Sequence, residues 1–340
     1  MGRELFQGYQ ILKEYQFWPQ EIPTFAEWAT KWNLFGFVGP SGVQEAGAVI
    51  EELVLRMQDN AEMAIEAAKR EESLIETEDQ PIVYAQLRDS LLKDQASKKD
   101  KNWCVHNSIE GLRLGMASEM MDHVVAGFDT SSITLLFLTW ELSLPSNKRW
   151  QDKLGFEIAS LGGSLDPRPI DQLPILHAIL LETLRLHAPV PGNQPRITPS
   201  GTHTTLGPST HTFAVPPDVR VQAQAWSLHR NSSVFPDPER WNPGRWLEST
   251  PEQLEEMQRW FWAFGSGGRM CIANNFAMLV MKAIMVAIWR EFRTRAVDVA
   301  ALSGNSTLLQ LVGTCTTGIE INLSFNKQGV WKCCPSMSGL

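Results

Sequence analysis

Four residues in one short stretch, Phe264, Gly267, Arg269 and Cys271, follow the spacing F-x-x-G-x-R-x-C. The glycines let the backbone turn tightly against a flat partner. An apolar run follows the cysteine and reads as a helix over 272–289, so the thiol sits at a helix N-terminus, where unpaired N–H groups favour an anion. A single thiolate without neighbouring Cys or His does not suit structural zinc. It does suit the axial position on a haem iron, to which it donates electron density. Arg269 would then neutralise a propionate. By itself, a lone cysteine in a turn reads more readily as a structural thiol; the flanking pattern tips the reading towards a ligand.

Two further sets carry chemistry. Glu182 and Arg185, in "ETLRLH", stand at i, i+3 on one helical face. Alone they would be an ordinary surface ion pair. Asp129 and Thr130, in "AGFDTSS", place a carboxylate beside a hydroxyl within a long apolar segment. Burying that carboxylate is costly unless it is paired or used. Gly127 weakens the helix there and allows a local bulge. Either a proton-handling pair or a solvent-facing Asp with a back-bonded Thr would account for these residues. His123, one turn before Gly127, would face a pocket or the core.

The elements that must position these groups are mainly helical. Helical spacing runs from Ile50 to Ala68, and an apolar helix is predicted over 107–144, buried on most sides. A further helix is predicted from a cap at Asp171 to about His187. Between Arg196 and Gln224, β-branched residues with Gly and Pro punctuation predict short strands. "HRNSSVFPDPERWNPGRWLE" is irregular yet rich in aromatics and should be packed down. "GIEINLSF" alternates like a strand. The fold class is mainly α with a minor β part.

Composition narrows the options. The chain has 340 residues and a net charge of −8, which argues against a nucleic-acid binder. Its five cysteines, Cys104, Cys271, Cys315, Cys333 and Cys334, show no zinc spacing, and without a signal peptide a disulfide framework is not expected. No stretch has the length and apolarity of a membrane span.

The motifs, taken in order, resemble the cytochrome P450 family, in particular fungal microsomal-type haem-thiolate monooxygenases. "LDPRPIDQLPILHAILLETLRLHAPVPGNQPRITP", "SLHRNSSVFPDPERWNPGRW" and "FGSGGRMCIA" carry the likeness. The resemblance implies a cytochrome P450 fold, N-terminally incomplete, over residues 1–327, with 328–340 as a tail of unknown role. The family's anchor, first helices and W-x-x-x-R helix are not recognised here. It implies haem b with Cys271 as axial iron ligand, and Arg196, Phe264, Gly267 and Arg269 around the cofactor. Asp129 and Thr130 would be the acid–alcohol pair of oxygen activation. Glu182 and Arg185 would form an ion-pair set with the arginine of a P-x-R-W element. Arg240 and Arg245 both qualify, and the later one is the expected partner. Ala273 stands where the family usually has a second glycine.

The implied activity is insertion of one atom of O2 into an apolar small molecule, in fungal secondary metabolism. Electrons would come from NADPH through an NADPH-cytochrome P450 reductase, with Lys148, Arg149 and Lys153 as docking charge or simply a solvated face. Endoplasmic reticulum membrane, cytoplasmic face, is the family's location; this chain by itself would be cytoplasmic or peripheral. Two other readings stay open: a truncated, non-catalytic P450-like protein unable to hold haem, and a haem-thiolate isomerase or dehydratase.

Overall fold

A computed structural model describes residues 2–15, 18–19, 22–32, 34, 41–69, 80–97, 109–207, 210–297, 306–313, 320–326 and 331–333. Cys104, Cys315, Cys334 and residues 328–330 and 335–340 of the expected tail lie outside them. The chain clusters into two compact units, 1–128 and 129–340.

The first unit holds α1 (Gly2–Tyr15), α2 (Pro23–Lys31), α3 (Val43–Lys69), α4 (Ile82–Ser97) and the first part of α5 (Ile109–Ser143). Its core is Tyr9, Ile50, Val54 and Ala117, with Leu12, Met120, Met121 and Val125 against them. Ile50 and Val54 are one helical turn apart, so α3 turns one stripe inward. Polar pairs fasten the neighbours to it: Arg113 of α5 donates to Asp59 at 3.0 Å, and Arg88 of α4 to Glu62 at 2.8 Å.

The second unit continues α5 and adds α6 (Lys148–Ala159), α7 (Pro167–Asp171), α8 (Pro174–Leu186), β1 (Asn193–Ile197), β2 (Thr204–Leu206), β3 (Phe213–Val215) and β4 (Arg220–Gln224). Then come α9 (Ala225–Leu228), α10 (Arg245–Glu248), α11 (Pro251–Trp260), α12 (Asn274–Glu291), β5 (Phe292–Val297), β6 (Ser306–Gly313), β7 (Glu320–Asn326) and β8 (Trp331–Cys333). β1 pairs antiparallel with β4, β2 with β3, and β5 to β8 form an antiparallel meander. The short strands fall where Gly and Pro punctuation predicts them.

The core of this unit is built on α8, which is buried almost throughout. Leu138 and Leu142 of α5, Trp150, Leu154 and Ile158 of α6, and Met281, Met285 and Trp289 of α12 pack around it. Each such side chain contributes about 1.5–3 kcal/mol on burial. Gln151 fastens three elements: its amide donates to Leu142 O at 2.7 Å and Thr294 O at 3.0 Å, and accepts from Thr294 N at 2.9 Å.

Three expectations are corrected here. The helix predicted from Asp171 to His187 starts at Pro174 instead, and Asp171 ends the separate short α7, because Pro174 holds Leu173 at ψ 110, out of the helical region. Leu173 has no capping side chain; the carboxylate of Glu157, from α6, accepts from Ile175 N at 2.8 Å and Leu176 N at 2.9 Å instead. Asp171 serves elsewhere, accepting from the buried Lys282 of α12 at 2.8 Å. The helix behind Cys271 begins at Asn274 rather than Ile272. In α5, the middle is not buried: Ala126, Gly127 and Phe128 are exposed, and Asp129 and Thr130 half-buried. An all-round apolar pattern shows which faces can be covered, and the packing neighbours decide which are. The helix passes Gly127 without a bulge.

Candidate functional site

The segment Phe261–Cys271 forms a closed loop. Gly265 N donates to Trp262 O at 3.0 Å, Met270 N to Gly267 O at 3.0 Å, and Cys271 N to Phe264 O at 2.8 Å. Gly265 and Gly267 sit at φ 71 and 69, the left-handed region where an L side chain is strained. A Cβ on Gly265 would also stand 3.1 Å from Oε1 of Gln194. The loop therefore lies against β1, whose Gln194 and Arg196 alternate onto the same face. Phe264 packs on the main core, while Gly267, Arg269 and Cys271 are exposed.

What surrounds the thiol suits a flat apolar group bearing carboxylates. Ile272 is 90% exposed and Phe276 70%. A Cβ on Gly267 or Gly268 would meet nothing within 4 Å. Arg269 supplies a guanidinium two residues before the thiol, and Arg196, on the strand beside the loop, supplies another. A soft sulfur ligand, an uncovered apolar surface and nearby cations fit an iron porphyrin. Ala273 is the N-cap of α12 at φ −97, which any residue adopts, so the missing glycine there costs no strain. Among the described residues no three His, Cys, Asp or Glu side chains cluster as a metal site.

Behind the loop, Glu182, Arg185 and Arg245 come together. Oε1 of Glu182 accepts from Arg185 Nη2 at 2.9 Å, Arg245 Nε at 3.1 Å and Asn242 N at 2.9 Å. Oε2 accepts from Arg185 Nε at 3.0 Å and Trp246 Nε1 at 3.0 Å. Arg185 spends Nη1 on the carbonyls of His229 at 2.9 Å and Pro238 at 2.8 Å. Such a buried set is tolerable because nearly every donor is satisfied. Arg240 gives only its carbonyl to the set; its side chain is exposed.

His229 was not singled out by its sequence context. It is fully buried. Its Nδ1 is 2.8 Å from Arg185 O, and its Nε2 accepts from Trp262 N at 2.8 Å. Burial holds the imidazole down to about 4, with the Arg185 and Arg230 charges adding and the bond to the Arg185 carbonyl opposing.

The remaining candidates are placed as follows. Asp129 and Thr130 lie in α5, and Thr130 O accepts from Thr134 Oγ1 at 3.0 Å. Farther along α5, Glu141 meets His187 Nε2 at 2.8 Å, joining α5 to the residue after α8. His123 is exposed, and its Nδ1 lies 2.7 Å from Glu119 O of its own helix. Lys148 pairs with Asp152, and Arg149 and Lys153 lie over the Trp150 ring at 5.4 and 4.6 Å. No described helix is long and apolar enough to cross a membrane.

A family model described as Cytochrome P450 matches residues 51–310. The chain is 32% identical over 170 residues to the cytochrome P450 monooxygenase orf2 of Aspergillus niger, covering 50% of this chain and 33% of that protein. It is 34% identical over 168 residues to the cytochrome P450 monooxygenase stcB of Emericella nidulans, covering 49% and 31%. It is 31% identical over 176 residues to the inactive cytochrome P450 monooxygenase cloA of Claviceps fusiformis, covering 51% and 33%. The match spans about a third of the length of each of these relatives.

Proposed function

Because the chain belongs to the cytochrome P450 family, we propose that it holds haem b through the Cys271 thiolate and serves as a monooxygenase on an apolar small molecule. The observation that carries this reading is the presentation of the thiol. Cys271 is exposed at the end of a loop closed by the 2.8 Å bond from its own N–H to Phe264 O. When bound, haem supplies the activation of O2, one atom entering the substrate and the other leaving as water.

The chain's own groups do the rest. Cys271 donates electron density to the iron. Arg196 and Arg269 neutralise the two propionates. Asp129 takes protons from water at its carboxylate, and the Thr130 hydroxyl hands them on. Glu182, Arg185 and Arg245 hold the irregular segment that precedes the ligand loop. Electrons come from NADPH through a flavoprotein reductase, at the membrane surface where that partner resides. Lys148 is already paired with Asp152, so it offers less docking charge than Arg149 or Lys153.

A second reading is a non-catalytic family member unable to hold haem; one of the relatives that the chain resembles is described as inactive. One experiment separates the two. The chain is purified with haem, reduced and exposed to carbon monoxide. The first reading expects a strongly red-shifted Soret band that disappears in Cys271→Ala. Absence of that band in the unaltered chain leaves the haem-free reading.

A further inference from the structure

We propose that His229 is a positioning residue for the Cys271 loop, its neutral imidazole joining the Glu182–Arg185 network to the start of that loop and so fixing where the thiol stands. The two ring contacts assign the tautomer. Arg185 O, 2.8 Å from Nδ1, can only accept, so Nδ1 carries the proton. Trp262 N–H, 2.8 Å from Nε2, can only donate, so Nε2 carries the lone pair. A second proton would set two N–H groups against each other.

Both ends of this strut are fixed. Arg185 is bound to His229 in both directions, since its Nη1 donates to the His229 carbonyl at 2.9 Å. The ring stacks on Phe261, centroids 5.4 Å apart and planes 16° apart, with Phe235 edge-on at 6.4 Å. The main chain of Trp262 is then held at both of its polar groups: its N–H by His229 and its carbonyl by Gly265 N at 3.0 Å. Two residues later, Phe264 O receives the Cys271 N–H at 2.8 Å. An unbroken line of short hydrogen bonds and peptide units thus runs from α8 to the thiol residue. A buried histidine usually just satisfies itself. This one has main-chain partners on two separate segments, one of which opens the ligand loop.

The effect on the loop stands on this geometry alone; only its consequence for a bound haem rests on the function proposed above. The test compares His229→Gln, His229→Asn and His229→Leu in the full chain, with Thr183→Val as control. That control removes the 3.1 Å bond from Trp241 Nε1 to Thr183 in the same region without touching Trp262. Backbone amide exchange across residues 262–271 is read without haem. Leu and Asn variants should exchange about tenfold faster there. Gln, whose Oε1 reaches the place of Nε2, should recover most of the protection, and Thr183→Val should leave it unchanged. In the haem-loaded chain, the Leu and Asn variants should shift the carbon monoxide complex from the thiolate-type to the thiol-type spectrum, and Gln should not.

Exchange in folded His229→Leu within roughly twofold of the unaltered chain would overturn the proposal. Equal loosening in Thr183→Val would do so too, since it would show a general effect. If the Leu variant does not fold, equal exchange in Gln and Asn overturns it. If the unaltered chain takes no haem, the proposed function fails while the exchange comparison still decides the role of His229.

Discussion

Nε of Arg245 donates to Oε1 of Glu182 at 3.1 Å, across 63 positions of sequence, whereas Arg240 turns its side chain to solvent. Arg245→Ala removes one partner of a buried, hydrogen-bonded set and empties the donors that hold the Pro236 carbonyl at 3.0 Å. It should cost about 3–5 kcal/mol in urea unfolding of the full chain. Arg240→Ala keeps the carbonyl that the set uses and should cost no more than about 0.5 kcal/mol. Equal losses would mean that the ion-pair set is closed by the wrong arginine.

The pH dependence of stability should carry a signature of His229. Its imidazole titrates near 6.5 when free and about 4 when folded, because burial disfavours the charged ring. Between these values the unfolded chain binds more protons, so stability rises with pH. The contribution is complete above the unfolded value and is lost as pH falls through the window to the folded one. Arg185 and Arg230, the charges facing the ring, act in the same direction as burial. Unfolding free energies from urea titrations at about pH 7.5 and about pH 5 should differ by an amount that includes about 2 kcal/mol from this group. His229→Gln should remove that part of the slope. A slope unchanged by the substitution would show that the ring is not held neutral.

What the sequence made legible was whatever local pattern encodes. α5 runs from Ile109 to Ser143, close to the 107–144 set by apolar spacing. The strand-rich region, the aromatic packing of the irregular segment and the proximity of Glu182 to Arg185 follow from residue type and spacing in the same way. Choosing Arg245 over Arg240 needed the resemblance, because both lie in the same P-x-R-W frame. His229 stayed invisible for a physical reason. Its partners are the main-chain groups of Arg185 and Trp262, 44 and 33 positions away, and a backbone carbonyl or N–H leaves no residue-type signal. Glu157 is a similar case: it caps α8 from another helix, so no capping pattern precedes Pro174. Exposure at Ala126–Phe128 is not encoded locally, because apolarity marks a surface that can be covered and the packing neighbours decide how much of it is.

The oxygen-activation role proposed for Thr130 is separable from the structural part played by Thr134, one turn on. Thr134 is buried and its hydroxyl is spent on the Thr130 carbonyl at 3.0 Å. Thr134→Ala should therefore lower stability by about 1 kcal/mol and leave electron coupling alone. Thr130→Ala removes the hydroxyl beside Asp129 without disturbing the ligand loop, so the carbon monoxide spectrum should stay intact. With reductase, NADPH and any apolar compound that the haem-loaded chain oxidises, its product per NADPH should fall at least about tenfold and hydrogen peroxide should rise in step. Thr130→Ser keeps a hydroxyl at the same carbon and should restore the yield. An unchanged yield in Thr130→Ala would remove this residue from the proton path and leave Asp129 as its sole candidate member on α5.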